Sequence, residues 1–322
     1  MQNIPDFKNQ VVRDLAWSCF GPNLINTFFP TEDQESLQGE GIQSLELDLT
    51  AERNQWLLEL DQNPEPIFIH LFHLKSRRLG IYFEALWKFF LLHDSHLELI
   101  AHNIPIRSDK RTLGELDIIY RDKSSGAFTH LELAVKFYLN YQTSHLSTKP
   151  SDFLGPNCKD RLDKKIERLV SHQSPLSDIP EGKQTLAELG IHEVQKKITV
   201  KGWLFYYEPL QPSAENGHPL SSHHQKGRWN HLSAFSETAH QQEHWVVLEK
   251  RNWLSPAQLS DADQNNQHTL LTADQLIPFL GETFKTDQRP LMVCSMTQTD
   301  PMVRETERYF ITPDHWPTDL AD

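Results

Sequence analysis

Three side chains within twenty residues are of types that do chemistry together: Asp117, Glu132 and Lys136. Asp117 stands in Gly114-Glu115-Leu116-Asp117-Ile118-Ile119-Tyr120. Glu132 and Lys136 follow in His130-Leu131-Glu132-Leu133-Ala134-Val135-Lys136-Phe137. Residues two apart on a strand share a face, so Glu132, Ala134 and Lys136 form a row. Antiparallel pairing can set Asp117 beside that row. Two carboxylates and a lysine among apolar neighbours are costly unless their charges are compensated. A divalent cation supplies that compensation, and an oxygen site with few protein ligands suits Mg²⁺, which keeps several waters. A lysine beside it can orient or help deprotonate a water, or stabilise charge on a phosphate in flight. A second reading stays open: Glu and Lys four apart next to an Asp also make an ordinary salt-bridged, half-exposed sheet face.

The elements that must position these residues run from about Phe68 to Tyr207. Ile81, Ala85, Leu86, Phe89, Phe90 and Leu92 recur with a helical period between Gly80 and His93. Leu97, Leu99, Ala101, Ile104 and Ile106 give an extended segment interrupted near Asn103, and the stretch opened by Gly114 alternates as a strand. Phe128–Leu139 is a further strand, and Asp122-Lys123-Ser124-Ser125-Gly126 between the two has hairpin turn chemistry. Leu162, Ile166, Leu169 and Val170 make the stripe of a helix near 159–173, and the β-branched and aromatic run Ile198–Tyr207 reads as a buried strand. The order is helix, three strands, helix, strand.

Outside this stretch, Phe7, Val11, Val12, Leu15 and Ala16 mark an amphipathic helix that stops near Gly21-Pro22. Residues 31–43 collect Glu32, Asp33, Glu35 and Glu40 and read as an exposed acidic loop. Residues 209–243 are polar, hold much of a histidine cluster running from His218 to His244, and read as a loop or insertion. Strands are expected at His244–Glu249, Pro290–Thr297 and Arg308–Thr312, with a short helix at Ala273–Leu280. The expected divisions are therefore 1–65, an N-terminal helical segment and acidic loop; 66–208, the core; 209–243, the polar stretch; and 244–322, a C-terminal α+β extension packed on the core.

Composition bounds the function. With 44 acidic against 31 basic residues and a net charge of −13, a broad basic surface for bulk nucleic-acid binding is excluded, although a local groove is not. No run of eighteen apolar residues occurs, so no membrane span is expected, and the first residues do not read as a secretory signal. Cys19, Cys158 and Cys294 are scattered, which points to a reducing cytoplasm and away from a thiolate zinc site. No P-loop, GxGxxG, GxSxG or HExxH is present. His93 and His96 straddle a helix end without a third ligand nearby in sequence, a poor zinc site.

In element order and in these residues the chain resembles the PD-(D/E)XK nuclease superfamily, whose core is a helix, three strands, a helix and a further strand. The resemblance implies a mixed sheet flanked by helices and a Mg²⁺ (or Mn²⁺) site. Asp117 and Glu132 would be the metal ligands, Lys136 would act on water or phosphate, and Glu84 on the first helix would be an auxiliary acid. Gln173, at the end of the second helix, would lie where some relatives carry a polar residue near the metal. The position two before Lys136 is Ala134, so the second acid falls to Glu132, one pleat away from the usual spacing. More narrowly, the chain is similar to the bacterial family catalogued as domain of unknown function 1853. That likeness rests on Arg13-Asp14-Leu15-Ala16-Trp17, Gly80–Trp87, the paired strands, Gly155–Leu162 and Lys201-Gly202-Trp203-Leu204-Phe205. The expectation is a metal-dependent nuclease acting on nucleic acid through a local groove. The alternative is a catalytically inactive nuclease fold serving as a protein- or nucleic-acid-interaction module; no protein partner is specified by the sequence.

Overall fold

The helical spacing over 81–92 and the alternation after it are realised in the chain's course. The structure, a computed structural model, describes residues 4–26, 42–109, 111–143, 149–208, 220–260, 270–299 and 302–317. The first half of the chain runs α1 (Gln10–Phe20), β1 (Gln43–Ser44), α2 (Ala51–Gln62), α3 (Glu65–Phe72), α4 (Leu79–His93), β2 (Leu97–Ser108), β3 (Arg111–Asp122), β4 (Phe128–Asn140) and β5 (Phe153–Leu154). It continues as α5 (Leu162–Arg168), α6 (Pro180–Glu188), β6 (Gln195–Tyr207), β7 (Gln225–His231), α7 (Leu232–Thr238), β8 (His244–Val247), β9 (Gln258–Leu259), α8 (Ala273–Thr286), β10 (Leu291–Thr299) and β11 (Met302–Thr312). The fold is α/β, and its strands make a mixed sheet of eleven. The pairs β1–β6, β6–β7 and β7–β11 are parallel, while β2–β3, β3–β4 and β10–β11 are antiparallel. Among the described residues no helix is long and apolar enough to cross a membrane.

Two compact units share the chain. The first takes Met1–Val135, Asp163–Lys201 and Pro219–His223; the second takes Lys136–Leu162, Gly202–His218 and His224–Asp322. They part inside β4 and inside β6, which no hydropathy pattern announces.

In the first unit α1 is buried from Val11 to Phe20, not only along the stripe an amphipathic surface helix would bury. Two of its charged residues are held by hydrogen bonds. Arg13 donates to the carbonyls of Phe7 at 2.9 Å and Lys8 at 2.7 Å, and Asp14 accepts from the Tyr82 hydroxyl at 3.0 Å. Arg53 of α2 forks onto Asp94 behind α4, at 2.7 and 3.1 Å. The β2–β3 ribbon buries Ile106, Leu116 and Ile119 with Leu186 of α6 and Ile191. The interruption near Asn103 is a left-handed residue, φ 49°, which asparagine tolerates better than branched side chains do. Asp122 closes the β3–β4 turn by accepting the amides of Ser124 and Ser125 at 2.9 and 2.8 Å, and Gly126 sits at φ 74°. Of the acidic stretch 31–43, residues up to 41 lie outside the described residues, and Gln43–Ser44 pairs with β6.

In the second unit β10 and β11 bury Val293, Tyr309 and Ile311 against Phe235, Trp245 and the α8 residues Leu276 and Leu280. The stretch 209–243, expected as a polar loop, is not one throughout. Residues 209–219 lie outside the described residues, but 225–238 form β7 and α7. Polar composition hid this because a strand paired on both edges, by β6 and β11, needs few apolar anchors; here Trp229 and, on α7, Phe235 are buried. Gly202, at φ 144°, lies so close to the Lys136 carbonyl oxygen that a Cβ would overlap it. Only glycine tolerates both the backbone angle and the approach.

Candidate active site

The β3–β4 ladder sets the geometry of the first unit's acidic centre. Its register pairs Tyr120 with Thr129, Ile119 with His130 and Ile118 with Leu131. Asp117 and Glu132 are the next positions in that register, but the backbone ladder stops at Ile118–Leu131. Asp117 Oδ2 instead accepts the Leu133 amide at 2.9 Å, so a carboxylate takes over from a strand carbonyl. Opposed residues share a sheet face, and the alternation of β4 puts His130 on that face with Glu132.

Glu132 is fully buried, and both of its oxygens are held. His130 Nε2 lies 2.9 Å from Oε1, and Gln173 Nε2 donates to Oε2 at 2.6 Å. His130 Nδ1 is 3.1 Å from the Ser177 hydroxyl. Lys165 donates to Gln173 Oε1 at 2.9 Å, which completes the chain Lys165–Gln173–Glu132–His130–Ser177. The local reason is the end of α5. The helix widens into a π-turn over Leu169–Gln173 and tightens into a 3₁₀ turn over Ser174–Ser177, around Pro175, which cannot continue an α-helix. That double change brings Gln173 to the carboxylate and Ser177 to the imidazole.

Negative charge is in excess here. Burial, reinforced by Glu132, pushes Asp117 up to about 7; the Leu133 amide opposes the shift, Glu84 adds to it, and Lys165 pulls the other way. Glu84, on α4, is also raised, first by burial; Asn103 hydrogen-bonds its carboxylate and lowers it, while Glu115 and Glu132 raise it. Asp117 and Glu84 therefore both sense the charge of Glu132. Lys136 is engaged elsewhere. It belongs to the second unit, and its ammonium donates to Asp160 there, with both side chains partly exposed. Glu132 is thus held by His130 and Gln173, not by Lys136.

Three of these residues, His130, Lys165 and Ser177, had no role in the sequence analysis. His130 was legible in principle, since His130-x-Glu132 places both on one face of a strand. Lys165 is half-buried where its neighbour Lys164 is exposed, and the π-turn brings Gln173 to it. Four other histidines have partners of their own. His93 Nδ1 meets the Phe89 carbonyl at 2.8 Å, His96 meets Glu52 at 3.0 Å, His224 meets the Tyr206 hydroxyl at 2.8 Å, and His231 meets the Pro313 carbonyl at 3.2 Å.

The family described as domain of unknown function DUF1853 matches residues 13–312. The chain belongs to that family. No curated protein and no solved structure matches it. Every residue of the acidic centre lies within the matched span, so the centre is part of the DUF1853 domain itself.

Among the described residues no three His, Cys, Asp or Glu side chains are grouped to hold a metal ion. What this DUF1853 chain offers is two neighbouring carboxylates, Asp117 and Glu132, the second fully buried. Mg²⁺ fits such a pair in one respect: it is commonly held by one or two carboxylates and keeps waters in its remaining positions. The donor set is oxygen only, which excludes a preference for soft metals.

Proposed function

We propose that the Asp117–Glu132 centre is the active site of a Mg²⁺- or Mn²⁺-dependent phosphodiester hydrolase acting on nucleic acid, built on a PD-(D/E)XK-like core. The observation that supports this most is the Asp117 carboxyl near fully buried Glu132, raised to about 7 first by burial and then by the charge of Glu132, a condition a cation would relieve. Asp117 and Glu132 would hold the ion. When bound, it would supply Lewis-acid stabilisation of phosphoryl oxygen and acidify a water. His130 and Gln173 fix the orientation of Glu132, as second partners of ligating carboxylates do. The resemblance gives the cationic role to Lys136. Because that ammonium is engaged by Asp160, we give the role to Lys165, tied to Glu132 through Gln173. Glu84 is the auxiliary acid.

One observation favours the second reading, an inactive nuclease fold that binds a partner: both oxygens of Glu132 are already taken by protein donors. Labelled single- and double-stranded DNA and RNA incubated with Mg²⁺, Mn²⁺ or EDTA separate the two. The hydrolase reading expects metal-dependent cleavage that falls at least about 100-fold in Asp117→Asn, Glu132→Gln and Lys165→Met, and much less in Lys136→Met. A wild-type chain that neither cleaves nor binds Mn²⁺ would establish the interaction module instead.

A further inference from the structure

The first unit carries a second feature that the acidic centre does not use. Helix α3 turns its apolar side chains the wrong way for a core helix. Ile67 is its one buried residue, and His70 fastens it to α4, with Nε2 3.1 Å from the Ala85 carbonyl and its ring edge-on to Phe89 at 5.3 Å. Phe68, Ile69 and Phe72, at i, i+1 and i+4, form the opposite face and are 52%, 59% and 84% exposed. Directly behind the helix come Lys75, Arg77 and Arg78, all exposed, and none is in an ion pair among the described residues. Exposed apolar clusters of this kind mark contact surfaces.

The occupant must be apolar where the helix meets it and anionic where the basic tract meets it. A nucleic acid offers phosphates and base faces, but Ile69 has no ring on which a base can stack. An anionic leaflet offers both layers side by side, with charge at the headgroups and hydrocarbon just beneath. At eight residues, about 12 Å long, α3 is far too short to span such a layer and long enough to lie in its surface. The chain's net charge of −13 opposes approach as a whole. Screening confines that repulsion to about 8 Å at physiological salt, so the local basic tract decides which face approaches.

We propose that α3 and the tract behind it dock this chain on the surface of an anionic phospholipid bilayer, with Phe68, Ile69 and Phe72 entering the acyl boundary and Lys75, Arg77 and Arg78 meeting headgroup phosphates. This is contact with a surface, distinct from the membrane span that the sequence lacks, and it is independent of the hydrolase reading. The test is co-sedimentation of the full chain, in EDTA, with vesicles of phosphatidylcholine alone or mixed with phosphatidylglycerol. Binding should require phosphatidylglycerol and weaken as salt rises. Phe72→Ser should lower partitioning about tenfold, and each of Lys75→Ala, Arg77→Ala and Arg78→Ala about fivefold. These positions are exposed, so thermal melts should be unchanged, and Asp117→Asn should bind as wild type does. Absence of sedimentation, or a Phe72→Ser chain that binds as well as wild type, overturns the proposal. So does a wild-type dimer in analytical ultracentrifugation that Phe72→Ser dissociates, which would make the face a protein interface.

Discussion

Two buried charged clusters, one in each unit, are built on opposite accounting. In the second unit Arg308 and Glu305 are balanced one to one. The guanidinium donates to Glu305 Oε1 and Oε2, both at 2.7 Å, and to the carbonyls of Trp253 and Ser255, with its plane 4.5 Å from the Trp203 ring centroid. Glu305 Oε2 also accepts the Ala257 amide at 2.7 Å. Nothing is left over. In the first unit fully buried Glu132 lies near half-buried Asp117 and Glu84, and burial, reinforced by the charge of Glu132, holds a proton on Asp117 to about pH 7. A charge buried for structure is neutralised by its own neighbours. A buried surplus is stable only if something from outside, a proton or a cation, completes it.

The contrast can be broken by substitution. Glu305→Gln should lose about 3–5 kcal/mol in urea unfolding, because it strands a buried guanidinium. Asp117→Asn, which removes one of several like charges, should at pH 8 be at least as stable as wild type. An Asp117→Asn chain as damaged as Glu305→Gln would erase the difference between the clusters.

The pH dependence sharpens it next. Folded Asp117 keeps its proton to about pH 7, whereas its ordinary value is 3.8. Its contribution to stability is therefore complete below pH 3.8, declines as pH rises through the window, and is gone above about 7. Subtracting the Asp117→Asn curve from wild type should isolate a fall of a few kcal/mol between those limits. A flat difference curve would mean the pair is not coupled as described.

Smaller effects separate the holders of Glu132 from the bystanders. Gln173→Leu leaves Oε2 without its donor and should cost about 1–3 kcal/mol, with Lys165→Met costing less. The Lys136–Asp160 pair is partly exposed, so Asp160→Asn should change stability by less than about 1 kcal/mol. A larger loss there would make Lys136 a structural residue in its own right.

Much of this centre was legible beforehand. The types and spacing of Asp117 and Glu132 and the Asp122–Gly126 turn are enough to oppose the two acids, because a short turn fixes the register and the register fixes the face. Glu84 was legible as an acid on the preceding helix. The partner of Lys136 was not. Its competitor, Asp160, lies twenty-four residues away, beyond the short strand β5, and no local rule relates the two positions. Nor was the strand β7 legible, because its stability comes from backbone pairing on two edges and one buried Trp229 rather than from a hydrophobic run.

The sequence by itself determined many of the local elements and the β3–β4 hairpin register, since periodicity and turn chemistry act over a few residues. Only the tertiary structure decided which side chains hold Glu132 and how far Asp117 is stripped of water. Those depend on a π-turn at Leu169–Gln173 that aims Gln173 at Glu132, and on burial that strips water from Asp117. Dehydration and the pairing of distant charges are properties of packed neighbours, and a chain acquires them only when residues remote in sequence are brought into contact.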